Sequence, residues 1–114
     1  MSDGMRVCAV DEIDDGGVRL VPRDVAGTGD DVAVFNDEGS FYALDDTCTH
    51  ALASLADGWV EDGTVECPLH AARFSLSTGA ALSLPATKAA RCHRVQVRDG
   101  AVWLFPGEAP EPQG

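Results

Sequence analysis

Along most of the chain, β-branched, aromatic and small apolar residues gather into short segments divided by polar turns. RVCAV (6–10), VRLV (18–21), DVAVF (31–35), SFYAL (40–44), TVEC (64–67), ARFSL (72–76), CHRVQV (92–97) and AVWLF (101–105) carry residues that suit a pleated, half-buried surface. Turn chemistry separates them at DDGG (14–17), NDEG (36–39), STG (77–79) and RDG (98–100). Strands this short, at such regular intervals, predict an all-β sandwich or small barrel. One stretch breaks the rhythm. Asp45 to Gly63 patterns poorly as strand and is expected to hold a short helical turn near Ala51 to Ala56. After Phe105 the composition turns to Pro, Gly and Glu, so a single domain over 1–105 is expected to end in a flexible tail, 106–114.

Composition narrows the function. With 114 residues, 45% hydrophobic and 24% charged, the chain supports one modest core. Eight basic against nineteen acidic residues give a formal net charge of −11. Phosphate recognition needs a basic footprint, so this balance argues against a nucleic-acid partner and against an anionic membrane surface. A basic patch on another protein is the natural complement. No apolar run approaches the roughly 20 residues that span a bilayer. The start, MSDGMRVCAV, has no signal-peptide pattern, so a reducing cytoplasm is expected. There Cys8, Cys48, Cys67 and Cys92 are thiols or metal ligands, not disulfides.

Candidate chemistry sits in two places. TCTHALASL (47–55) contains Cys48-x-His50, and ECPLH (66–70) contains Cys67-x-x-His70. Together these pairs use two of only three histidines. Free cysteine is often a small buried hydrophobe and a lone histidine is usually structural, so coincidence is one reading. A structural zinc module for protein contacts is another, since zinc accepts thiolate and imidazole; its knuckles, however, usually pair cysteine with cysteine. The third is a Rieske-type [2Fe–2S] cluster, in which two cysteines hold one iron and two histidines the other. That cluster asks each loop for one ligand to each metal, which a mixed pair on each loop provides.

The surrounding residues extend the pattern. CTHALASLADGWV (48–60), VECPLHAARFSLSTGAAL (65–82), LPA (84–86) and VRDGAVWL (97–104) resemble the Rieske-type ferredoxins of bacterial ring-hydroxylating dioxygenase systems, from about Val7 to Phe105. The resemblance implies a β-sandwich with a small cluster-binding subdomain, Cys48 and Cys67 on one iron, and His50 and His70 on the other with outward-facing ring edges. It implies a one-electron carrier, not an enzyme, loaded by an NAD(P)H-dependent flavin reductase and unloaded by a terminal oxygenase. The small subunit of a nitrite reductase has a similar domain and is an alternative. After the cluster takes its ligands only His93 is left, too few histidines for a mononuclear oxygenase site of two histidines and a carboxylate.

Departures from other Rieske proteins also carry meaning. Respiratory and photosynthetic relatives clamp the loops with a disulfide whose cysteines would fall at Ala53 and Leu69. They place a serine and a tyrosine, hydrogen-bonded to the cluster sulfurs, where this chain has Ala72 and Phe74. Losing both donors destabilises the added electron, so a low potential is expected. Pro68 fixes its own φ between the second pair of ligands. Leu52, Leu55 and Leu69 are candidates to shield the cluster, and Gly79 to supply a positive φ. Trp59, Trp103, Phe35, Phe41, Tyr42 and Phe105 are expected to pack the sandwich, and Cys8 and Cys92 to be buried thiols. His93 is expected at the surface or as a cap. Asp45, Asp46, Asp57, Glu61 and Asp62 are expected on a solvated acidic face.

Overall fold

A computed structural model describes residues 4–47, 53–68, 72–82 and 89–108. Among these, β1 (Met5–Ala9), β2 (Val18–Val21), β3 (Val32–Asp37), β4 (Ser40–Asp45), β8 (Cys92–Arg98) and β9 (Ala101–Phe105) form an antiparallel sheet ordered β1-β9-β8-β4-β3-β2. A second antiparallel sheet holds β5 (Trp59–Glu61), β6 (Thr64–Glu66) and β7 (Arg73–Ser75) in sequence order. The all-β architecture is the one expected.

Two-residue turns fix the hairpin registers. Asp37 pairs with Ser40, Glu61 with Thr64 and Arg98 with Ala101, and between them Glu38-Gly39, Asp62-Gly63 and Asp99-Gly100 all take positive φ. Positive φ at both positions is the type I′ geometry, whose twist matches that of the strands. Aspartates tie the turns together. Asp37 Oδ2 accepts the Gly63 amide at 2.6 Å, joining the turns of the two sheets, and Asp15 Oδ1 accepts that of Glu38 at 2.8 Å. Asp31 Oδ1 accepts the Arg23 amide at 2.9 Å at the start of the short helix α1 (Arg23–Ala26). That bond, first among the causes, holds the Asp31 carboxyl below its ordinary value.

Strand β3 carries the core on both faces, which explains its continuous apolar run. Val32 and Val34 pack with Cys8, Val21, Ala43, Val102 and Leu104. The alternate residues Ala33 and Phe35 pack with Leu44, Leu55, Val65, Cys67 and Phe74, which joins the two sheets. Fully burying a Phe, Leu or Val side chain contributes about 1.5–3 kcal/mol, so this second cluster is what fixes the small sheet to the larger one.

Several expectations need correction. β5 lies inside the segment expected to lack strand, and the helical turn is a 3-10 turn at Leu55–Asp57; Ala51 and Leu52 lie outside the described residues. Trp59 is 61% exposed, because β5 turns the neighbouring Val60 toward the core and Trp59 outward. His93 is buried, not a surface residue. Its Nε2 lies 2.6 Å from Asp45 Oδ1 and its Nδ1 accepts the Gly107 amide at 2.9 Å. Because Nδ1 accepts, a neutral ring carries its proton on Nε2 and gives it to Asp45. Pro106, Gly107 and Glu108, the first residues of the expected tail, are therefore tied back, and Glu108 O also accepts the Arg94 amide.

Candidate metal centre

Strands β6 and β7 place the second Cys/His segment. Val65 pairs with Phe74 and Glu66 with Arg73, and one step further the Cys67 amide donates to Ala72 O at 2.7 Å. The hairpin is thus closed directly beneath residues 68–71, which contain His70. Glu66 and Arg73 reinforce the same rung with an ion pair of 3.3 Å on the exposed side. The inward side is apolar. Cys67, Ala72 and Phe74 have no solvent exposure, and Leu55 and Val65 pack with them. Pro68 is half-buried at the edge of this wall.

The first segment is closed in a similar way. Thr47 bridges to Ser54, and the Leu55 amide donates to Asp46 O at 2.7 Å, so the two ends of the first Cys/His segment are tied to each other. Asp30 accepts the Thr47 amide at 2.9 Å and its hydroxyl at 3.0 Å. Asp46, expected on a solvated face, is buried instead and accepts from Ser54 and Ala56. Ala53 packs against the apolar cluster that contains Cys67, so the bases of both loops meet the same core. Cys48, His50, Leu52, Leu69 and His70 lie outside the described residues.

This arrangement suits a thiolate-bound metal group. An apolar wall is a poor place for an unneutralised thiolate, and metal binding is the usual way to hold one there. Two loops with separately fixed bases, each carrying one sulfur and one nitrogen donor, match the demand of a two-metal cluster better than that of a knuckle. Cys8 and Cys92 stand apart as thiols. Burial, the largest cause in each case, raises both thiol pKa values above the ordinary cysteine value. The Cys92 thiol, only half-buried, donates to Thr78 O at 3.4 Å.

Comparison with known proteins settles the family. The model of the Rieske [2Fe-2S] domain matches residues 3–101. The chain belongs to this family. A Rieske relative, the 3-phenylpropionate/cinnamic acid dioxygenase ferredoxin subunit of Photorhabdus laumondii, is 46% identical over 90% of this chain and 93% of its own length. A ferredoxin chain in a complex of reduced oxygenase and oxidized ferredoxin in carbazole 1,9a-dioxygenase superposes with a TM-score of 0.84 at 33% identity, covering 98% of this chain and all of that one. A nitrite reductase small subunit from Mycobacterium tuberculosis, described as NADH-dependent, reaches a TM-score of 0.78 over 91% of this chain and 95% of its own. At 24% identity that likeness carries the fold alone. This Rieske protein therefore stands among ferredoxin components of dioxygenases, electron carriers and not catalysts. Its cofactor is the family's [2Fe–2S] cluster.

Of the candidates in the described part of the centre, the structure packs Cys67, Ala72 and Phe74 into one cluster, and Pro68 follows Cys67 half-buried. Sequence reasoning missed Asp30 and Ser54 and set Asp46 on the solvated face, although all three tie the ends of the first segment. For Asp46 the polar run DDT (45–47) directly before Cys48 was a signal; Asp30 and Ser54 had none.

Proposed function

We propose that Cys48 and Cys67 ligate one iron of the cluster and His50 and His70 the other. The protein then carries single electrons in the cytoplasm from an NAD(P)H-dependent flavin reductase to a terminal ring-hydroxylating oxygenase. The observation that supports this most is Cys67, sealed from water at the closing bond of its hairpin and walled by Ala72 and Phe74. Bound there, the group supplies a reversible one-electron couple. The chain's own part is to fix the loop bases and to exclude water from the Cys67 sulfur. Neither Ala72 nor Phe74 has a side-chain donor. The midpoint should accordingly fall toward the lower end of the roughly −150 to +300 mV range of Rieske centres.

Iron, acid-labile sulfide and a paramagnetic signal on reduction test the ligand set. Cys67→Ala and His70→Ala should each abolish the signal, and mixing reduced protein with the oxygenase should reoxidise it. A colourless protein holding a single zinc would favour the zinc module and overturn the carrier. The potential has its own test. Ala72→Ser with Phe74→Tyr should raise the midpoint measured by voltammetry, and an unchanged value would remove the hydrogen-bond explanation.

A further inference from the structure

Asp46 is the most thoroughly engaged side chain near the proposed centre. It is 6% exposed, and its carboxylate accepts the Ser54 hydroxyl at 2.8 Å on Oδ1 and 2.6 Å on Oδ2. Oδ1 also accepts the Ala56 amide at 2.9 Å. Its own amide donates to Asp31 O at 2.8 Å and its carbonyl accepts the Leu55 amide at 2.7 Å. Among the described residues its side-chain bonds therefore cross from residue 46 to residues 54 and 56, on either side of the segment that contains Cys48 and His50.

The neighbouring Asp30 also grips this loop, but its charge is balanced by Arg23, 3.5 Å away. Asp46 is different. Among the described residues it meets neutral donors and no cation, in a buried setting. Two trans peptide steps of about 3.8 Å each keep its Cα within about 7.6 Å of that of Cys48, whatever path the loop takes. The carboxylate and the Cys48 sulfur each lie a side chain's length beyond those Cα atoms; a fixed negative charge in that neighbourhood opposes the addition of an electron, and low polarity around it lessens the screening.

We propose that Asp46 is a positioning residue for the first ligand loop and, through its buried charge, a determinant of the cluster's low potential. This rests on the reading that Cys48 and His50 are ligands. A purely structural carboxylate would affect stability and leave the potential alone, so the potential is the deciding readout. The experiment uses the holoprotein and its variants Asp46→Asn, Asp46→Ala and Ser54→Ala, with iron and sulfide content, visible circular dichroism and midpoint potential measured for each.

Asp46→Asn keeps an oxygen acceptor and drops the charge, so it should retain a wild-type spectrum with a raised midpoint. Ser54→Ala keeps the charge but removes the hydroxyl that spreads it, so its midpoint should fall. Asp46→Ala strips both Ser54 and the Ala56 amide of their acceptor and should lose its visible band several-fold faster on storage than Asp46→Asn. A loaded Asp46→Asn with an unchanged or lowered midpoint overturns the charge role. An Asp46→Ala that holds its cluster as long as wild type overturns the positioning role. If Asp46→Asn takes up no cluster, Ser54→Ala decides, and an unchanged or raised midpoint there overturns the proposal. Wild-type protein with neither iron nor sulfide would sink the ligand assignment itself, and this proposal with it, a result distinct from a loaded wild type whose variants do not shift.

Discussion

His93 shows how much a single side chain can do without touching the metal centre. It fills a dry site, gives a proton to Asp45 and receives the Gly107 amide, so β4, β8 and the residues after β9 meet on one ring. His93→Ala should cost about 3 kcal/mol in urea denaturation, because it opens a cavity at a buried position and removes two hydrogen bonds. Cys8 makes a different prediction. Its thiol pKa is raised above the ordinary cysteine value in the fold, chiefly through burial, so folding favours the protonated form. The stability this supplies is whole below about pH 9 and is lost as pH climbs through the raised folded value. Between pH 8 and pH 10 wild type should therefore lose more stability than Cys8→Ala, and equal losses would show that Cys8 has no part in it. His93 marks the limit of sequence reading, whereas Cys8 is the buried thiol expected. The Cys/His pairs were legible because their ligands are spaced locally, by one and two residues. His93 finds Asp45 48 positions away, and no local pattern announces such a pair.

Turns and strands were the more legible scale, because hairpin chemistry is local. VRLV and AVWLF are strands over the residues expected, and NDEG and RDG are tight turns. β5 escaped notice since a three-residue strand with an outward tryptophan shows no alternation to detect. Two glycines separate turn conformation from packing. Gly100 has φ +74 and open space around it, so Gly100→Ala should cost only the left-handed penalty of about 1–2 kcal/mol. Gly79 has a similar φ, +78, but an added Cβ would strike the Ala90 carbonyl, and its own carbonyl accepts the Ala90 amide at 2.7 Å. Gly79→Ala should cost about 3 kcal/mol or more, since the obstacle is backbone. Thermal melts of the two variants side by side check the difference, and equal shifts would contradict it.

Across the whole molecule, the two packed clusters divide the labour. Residues from β1, β2, β3, β4 and β9 make one of them without any residue of the ligand loops, whereas Cys67, Ala72 and Leu55 belong to the other. Stripping the iron with a chelator should therefore raise amide exchange across 53–82 while β1, β3 and β9 stay protected. Mass spectrometry of exchanged peptides would show it; uniform loss of protection would mean that the fold depends on metal throughout. The acidity of the chain has a second meaning at this scale. Asp15, Asp30, Asp31, Asp37 and Asp46 each accept a main-chain amide and act as internal staples, whereas Asp57, Glu61, Asp62 and Asp99 lie exposed. Anyone recharging this carrier, for instance to seat it on a negatively coated electrode, has fewer expendable carboxylates than its isoelectric point suggests. Lysine belongs at Asp57 or Glu61, since Asp62 and Asp99 hold positive φ in their turns; at the stapled positions it would unpick the scaffold before it altered the wiring.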